Sequence, residues 1–190
     1  MPRMTVVAGP SGSGKSVFFP VQRLAPRGFN VDDRAAQIHR SYVGIPSAIR
    51  RQAQIECEAF VAQEIKAKRD FAVETTLRST AALIQAQGAR DAGFFTWLIF
   101  VCTDDVGENI ARVAARGALG GHSAPPVELR DIHRKSLLNL ASCRDLFDAA
   151  DLFDTSVRWE PPRHVGSVRS GALRLTDPIP AWLPSSWKST

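Results

Sequence analysis

The chain has 190 residues, 44% of them hydrophobic, and a formal charge of +5 from 24 Lys and Arg against 19 Asp and Glu. That length suits one domain with a sizeable core. The longest apolar run, "FFTWLIFVC", falls well short of the roughly 20 residues that cross a bilayer, so no membrane role is expected. Three scattered cysteines argue against a disulfide framework and for a reducing cytoplasm. The basic surplus suits anionic ligands, with nucleotides and nucleic acids fitting it equally.

In chain order, "RMTVVAG" (3–9) reads as a strand that begins too early to leave room for a signal peptide. A helix is expected from Gly14 through "KSVFFPVQRLA", although Pro20 removes a backbone donor inside it. "GFNVDD" (28–33) is a second strand with polar residues at its end, and 46–68 carries apolar residues near a helical period. "DFAVETT" (70–76) is a third strand, and 80–93 a helix ending at Gly93. "FFTWLIFVCT" (94–103) has the continuous apolar character of a strand covered on both faces. Helices are expected over 104–118 and 125–150, a fifth strand over 151–156, and a hairpin over 164–176 around Ser170-Gly171. The alternation predicts a mainly parallel five-stranded sheet with helices on both faces, a three-layer α/β/α fold of the P-loop NTPase type. A kinase domain over 1–156 would be followed by a C-terminal hairpin and tail over 157–190 packed on the same domain.

The loop after the first strand points to phosphate binding, though it does not by itself name the reaction. Gly9, Pro10, Ser11, Gly12, Ser13, Gly14, Lys15 and Ser16 fit the phosphate-binding pattern GxxxxGK[ST] between a strand and a helix. Glycines let backbone N–H groups converge on phosphate oxygens, and the helix that follows aims its N-terminus at the same place. Lys15 would reach the β and γ phosphates of ATP, and Ser16 would ligate Mg²⁺. An acceptor belongs at the neighbouring strand ends, where Asp32, Asp33, Glu74, Thr75 and Thr76 lie. From residue type alone, Asp32 or Asp33 is either a base or a helix cap. Glu74 either serves the site or pairs with Arg78, and Thr75 and Thr76 either bind substrate or simply end the strand.

"AGPSGSGKS", "FNVDD", "FAVETTLRST" and "ARVAARGALGGHSAPPVELRDIHRKSLLNL" together resemble the zeta-toxin-like P-loop kinases over residues 4–156, in the broader group with a "GGH" segment. The resemblance implies a kinase acting on the hydroxyl of a small molecule, with UDP-N-acetylglucosamine the acceptor of the characterised members, and a possible antitoxin partner. It makes Asp32 the catalytic aspartate that takes the acceptor's proton, and Glu74 the glutamate that holds sugar hydroxyls, with Thr75 and Thr76 beside it. One arginine from each of two segments would contact the ATP phosphates, and these are Arg116 and Arg134. His122, in the glycine-rich lid, would be structural or a donor rather than a metal ligand. The longer "GGHSAPPVELRD" stretch and the Trp- and Pro-rich tail depart from the better-known toxins. Three alternatives remain open at this point: an antibiotic phosphotransferase, a 5′-hydroxyl polynucleotide kinase, and an ATP-gated binding module without acceptor chemistry.

Overall fold

The structure is a computed structural model that describes residues 1–121 and 123–188. Five strands, β1 (Arg3–Ala8), β2 (Gly28–Asn30), β3 (Phe71–Thr75), β4 (Phe95–Cys102) and β5 (Ala149–Asp154), run parallel in the spatial order β2-β3-β1-β4-β5. β6 (Arg163–Arg169) and β7 (Ala172–Leu175) form the hairpin expected from the sequence. They extend the same sheet antiparallel beyond β5, making seven strands in all. The middle strands are apolar on both faces, and Val6, Leu98, Ile99 and Phe100 are almost fully buried, as a sheet covered on both sides requires.

The helices follow the sequence with three differences. The first expected helix breaks into α1 (Lys15–Phe18) and α2 (Val21–Leu24), with Pro20 extended between them (φ −62°, ψ 128°). Proline supplies no N–H to carry the first helix onward. The second strand stops at Asn30, so Asp32 and Asp33 stand in the first turn of α3 (Val31–His39). The Asn30 side chain accepts from both of their backbone N–H groups, at 2.9 and 3.2 Å, and this cap forces the change from strand to helix. The long last helix, α7, spans only Pro126–Ala141, and β5 begins at Ala149, ahead of its expected start. The intervening turn places Asp148 so that one carboxylate oxygen accepts from both the backbone N–H and the hydroxyl of Thr96. The remaining helices are α4 (Ser47–Lys66), α5 (Ala81–Asp91) and α6 (Val106–Ala118). No described helix is long and apolar enough to cross a membrane.

The main core lies on one face of the sheet, where Met4, Phe71, Phe100 and Leu152 meet Leu140 of α7. The tail closes this core. Trp182 packs against Phe100 with ring centroids 5.7 Å apart and donates its indole N–H to Asp154 at 3.1 Å. Trp187, fully buried in a single 3₁₀ turn (Ser185–Trp187), donates to the Leu140 carbonyl at 2.8 Å. Buried indole N–H groups need such partners. Trp159, at the start of the same segment, is 97% exposed.

Candidate active site

Strand register sets the site. Ala8 pairs with Thr75 and Asn30 with Glu74, so the ends of β1, β3 and β2 open side by side onto one cleft. The loop of residues 9–14 leaves β1 there and turns into α1. Two of its glycines are dictated by contact. At Gly9 (φ +140°) a Cβ would stand 2.0 Å from the Val101 carbonyl oxygen, and at Gly12 (φ +82°) one would stand 2.5 Å from the Asn109 carbonyl oxygen. No side chain fits either place, and both backbones occupy the region that favours glycine.

The loop is held from beneath by residues that sequence reasoning missed. Asn109 of α6 donates to the Ser11 carbonyl at 2.9 Å and accepts from the Thr103 hydroxyl. Thr155, just past β5, donates to the Ser13 carbonyl at 2.8 Å. Neither belongs to a motif that names it. The only prior signal was a polar residue at the end of an apolar strand or on an otherwise amphipathic helix.

Lys15 is 6% exposed, and its ammonium donates to the carbonyls of Gly9 and Pro10 at 2.8 and 2.9 Å. Burial pulls its pKa below the ordinary lysine value, while Glu74 and Asp32 nearby pull it back up. Ser16 donates to Glu74 Oε1 at 2.9 Å. Burial pushes the Glu74 carboxyl above the ordinary range, against the attraction of Lys15 and the Ser16 hydrogen bond. Glu74 thus turns toward the loop, whereas Arg78 pairs with Glu128 of α7 at 3.2 Å.

The cleft gathers Ser11, Lys15, Asn30, Asp32 and Glu74 at its centre. On the loop side it continues to Ser16, Asp33, Tyr42, Arg116 and Gly121. On the other side it continues to Thr75, Thr76, Arg50, Gln54, Arg78 and Glu128. Asp33 accepts from the Tyr42 hydroxyl at 2.9 Å, while the ion pair of the Asp32 carboxylate among the described residues is a long one, to Arg50 at 4.0 Å. Thr75 Oγ1 accepts from the Leu77 N–H at 3.1 Å, which shapes the turn after β3.

Most of the expected site residues therefore meet. Arg134 does not: it is absent from the cleft lining, its side chain is 61% exposed, and it pairs with Asp131 one turn earlier at 2.9 Å. The register of α7 buries Leu129, Ile132 and Ser136, which leaves Arg134 outside the buried stripe. Arg112 is likewise committed, to Glu108 at 2.7 Å and to the Thr155 carbonyl, so Arg116 is the arginine of α6 in the cleft. His122 lies outside the described residues. Among the described residues no cluster of three or more His, Cys, Asp or Glu could hold a metal ion.

No protein-family model matches the chain, and no curated protein matches it. Solved structures do. A structure from the PezAT chromosomal toxin–antitoxin system of Streptococcus pneumoniae matches with a TM-score of 0.60 at 14% identity, over 85% of this chain and 70% of the other. A candidate kinase from Chloroflexus aurantiacus matches at 0.56 and 17% identity, over 71% and 80%. The AvrRxo1-ORF1:-ORF2 complex with ATP matches at 0.65 and 14% identity, over 92% of this chain but 60% of that one. At these identities the likeness is one of fold alone: the mainly parallel α/β arrangement described above is shared with these structures.

Proposed function

We propose that this chain is an ATP-dependent kinase that transfers the γ-phosphoryl group to a hydroxyl of a small molecule. The observation that carries the reading is one cleft in which a buried loop lysine, Lys15, stands with two carboxylates, Asp32 from the first turn of α3 and Glu74 from β3. A binding module would need only the loop. The fold shared with an ATP-bound complex supports ATP as the donor.

In this reading Gly9, Pro10, Ser11, Gly12, Ser13, Gly14, Lys15 and Ser16 hold the triphosphate. The nucleoside lies along an apolar groove that begins at Gly14 and is walled by Val17, Phe18, Ala111, Ala115, Val157 and Trp159. The Ser16 hydroxyl and Glu74 carboxylate, 2.9 Å apart, are the hard oxygen donors that Mg²⁺ takes. Bound there with the phosphates, the ion supplies neutralising charge for phosphoryl transfer. Asp32 receives the proton of the acceptor hydroxyl, whose oxygen forms a bond to the γ-phosphorus as the bond to the β-phosphate oxygen breaks and ADP leaves. Lys15 and Arg116 stabilise the charge spread over the transferred group. Arg134 joins them only if the segment between α6 and α7 closes over the nucleotide. Residues 1–156 carry the phosphate loop and the acceptor wall, with 157–190 as hairpin and tail of the same domain and Val157 and Trp159 reaching the nucleoside groove.

The acceptor is a hydroxyl of a nucleotide-linked sugar such as UDP-N-acetylglucosamine. Glu74, Thr75 and Thr76 line the wall as hydrogen-bonding partners for a polyhydroxyl ligand. Among the described residues that wall has no aromatic side chain, whereas single-stranded nucleic acid is held by stacking on aromatics. A protein antitoxin is the proposed partner, because one structural neighbour comes from a toxin–antitoxin system. The test is labelled ATP with UDP-sugars, antibiotics and 5′-hydroxyl oligonucleotides as acceptors, with Asp32→Asn as control. Label on a UDP-sugar that is lost with Asp32→Asn supports the reading. Equal label transfer by wild type and variant rejects Asp32 as the base.

A further inference from the structure

The loop side of the cleft holds a hydroxyl that the proposed reaction does not use. Tyr42, the only tyrosine of the chain, lines the same pocket as Gly14, Lys15, Ser16 and Arg116, and donates its hydroxyl to Asp33 Oδ1 at 2.9 Å. We propose that Tyr42 is a self-modification site: in a cleft loaded with ATP and without an outside acceptor, the γ-phosphoryl group passes to the Tyr42 hydroxyl, with Asp33 as the base. The proposal rests on the kinase reading for the donor, while the position of the phosphate tests it separately.

The turn after α3 brings the hydroxyl there. The helix ends at His39, and the next residue, Arg40, turns the chain back with a φ of 60°. The Ser41 N–H is bound to the Ala36 carbonyl at 3.1 Å, and the Ser41 hydroxyl accepts from the Val43 N–H at 3.0 Å. Tyr42 packs against a buried cluster that includes Ala35, Ala36 and Ile45. Its apolar ring is thus seated in the protein, and its polar end reaches the cleft over the first turn of α3.

Burial and the Asp33 hydrogen bond push the phenol pKa above its ordinary value, so the hydroxyl keeps its proton near neutral pH and needs a base as it attacks. Asp33 is already within hydrogen-bond reach of that proton, the geometry that general-base catalysis requires. In the step, the Tyr42 oxygen forms a bond to the γ-phosphorus as the bond from that phosphorus to the β-phosphate oxygen breaks. The phenolic proton passes to Asp33, and ADP leaves. Lys15 and Arg116, the cations of the same pocket, stabilise the charge on the transferred group and stay beside the phosphate ester that forms. The two neighbouring aspartates divide the work: Asp32 serves an acceptor brought from solution, and Asp33 serves the one that the chain carries.

The test incubates purified protein with Mg²⁺ and γ-labelled ATP and no other acceptor. Wild type, Tyr42→Phe, Asp33→Asn and Lys15→Ala are compared by intact mass and by peptide mapping. The expected result is a single phosphate on Tyr42 in wild type, none in Tyr42→Phe or Lys15→Ala, and labelling slower by about 10²-fold in Asp33→Asn. The first-order rate should not change with protein concentration, since transfer stays within one cleft. The wild-type map alone locates the phosphate, so the outcome does not depend on every variant folding. Label that persists in Tyr42→Phe overturns the proposal. So does label released by hydroxylamine, which marks an acyl phosphate on a carboxylate, or a rate that climbs with protein concentration. Transfer to a UDP-sugar by a protein whose Tyr42 stays unmodified, with or without that sugar, overturns self-modification and leaves the kinase reading standing. Phosphate on neither removes both.

Discussion

The phosphate loop and the acceptor wall face each other across one cleft and are held by opposite means. The loop hangs from buried, backbone-directed contacts: Asn109 to Ser11, Thr155 to Ser13, Lys15 to Gly9 and Pro10, and two glycines pressed against carbonyls. The wall shares one such anchor, at the turn after β3, where Leu77 is held by Thr75 and Asn139, but its charged side chains stand in partly exposed pairs, Arg78 with Glu128 and Arg50 at long range from Asp32. Buried polar contacts are costly to leave half made, while exposed ion pairs contribute little. In the proposed reading, the nucleotide half is therefore geometrically fixed, and the charged rim of the acceptor half is adjustable at small cost to the fold.

Breaking the fixed half should have the largest effects. Lys15→Ala should abolish phosphoryl transfer, measured by label release from ATP, and wild-type turnover in that variant would end the loop's catalytic role. Asp32→Asn, at the seam of the two halves, should lower turnover by about 10²–10⁴ while ATP affinity changes little, and Asp33→Asn should do less because Asp33 is engaged by Tyr42. Asn109→Ala touches no ligand in this reading, yet it should cost about 1–3 kcal/mol in denaturant unfolding, because it strands buried partners. Arg78→Gln on the wall should cost at most about 1 kcal/mol. A loss there as large as that from Asn109→Ala would erase the contrast between the halves.

A finer test of the same contrast uses pH. The Glu74 carboxyl is raised from 4.5 by burial, so the folded protein holds that proton where the unfolded chain has released it. Stability from this group falls as pH rises from the unfolded value through the raised one. Glu74→Gln should therefore gain stability relative to wild type across that window, read from melting temperatures at successive pH values. A variant that loses ground as pH rises would show that the Lys15 and Ser16 contacts outweigh burial.

What could be read from the sequence divides along the same line. The loop was legible because its spacing is a local pattern between a strand and a helix. Asp32, Glu74, Thr75 and Thr76 were legible as polar ends of apolar strands, and parallel pairing brings such ends together. Asn109 and Thr155 were not, since they reach loop residues 98 and 142 positions away, and no local signal encodes that meeting. Arg134 stands apart from the cleft: its segment resembles that of the known kinases, while helical register turns its side chain to Asp131 here. The shortened second strand turned on Asn30, whose cap was outweighed in the sequence by the β-rich residues before it. The tail was illegible in another way, because its tryptophans carry no periodicity and their pockets exist only after α7 and the sheet have formed.

The place of Trp187 bears on how the molecule is made. Its ring is buried in the main core, anchored to Leu140, so a nascent chain still lacking residues 182–187 has an incomplete core with its apolar lining open to solvent. The loop at residues 9–16 leaves the ribosome early but acquires its Thr155 support only after most of the chain has followed. Domains generally fold as units during synthesis. The cleft and Trp187 should then become protease-resistant together, once residue 187 has left the ribosome, rather than in the order in which they are made.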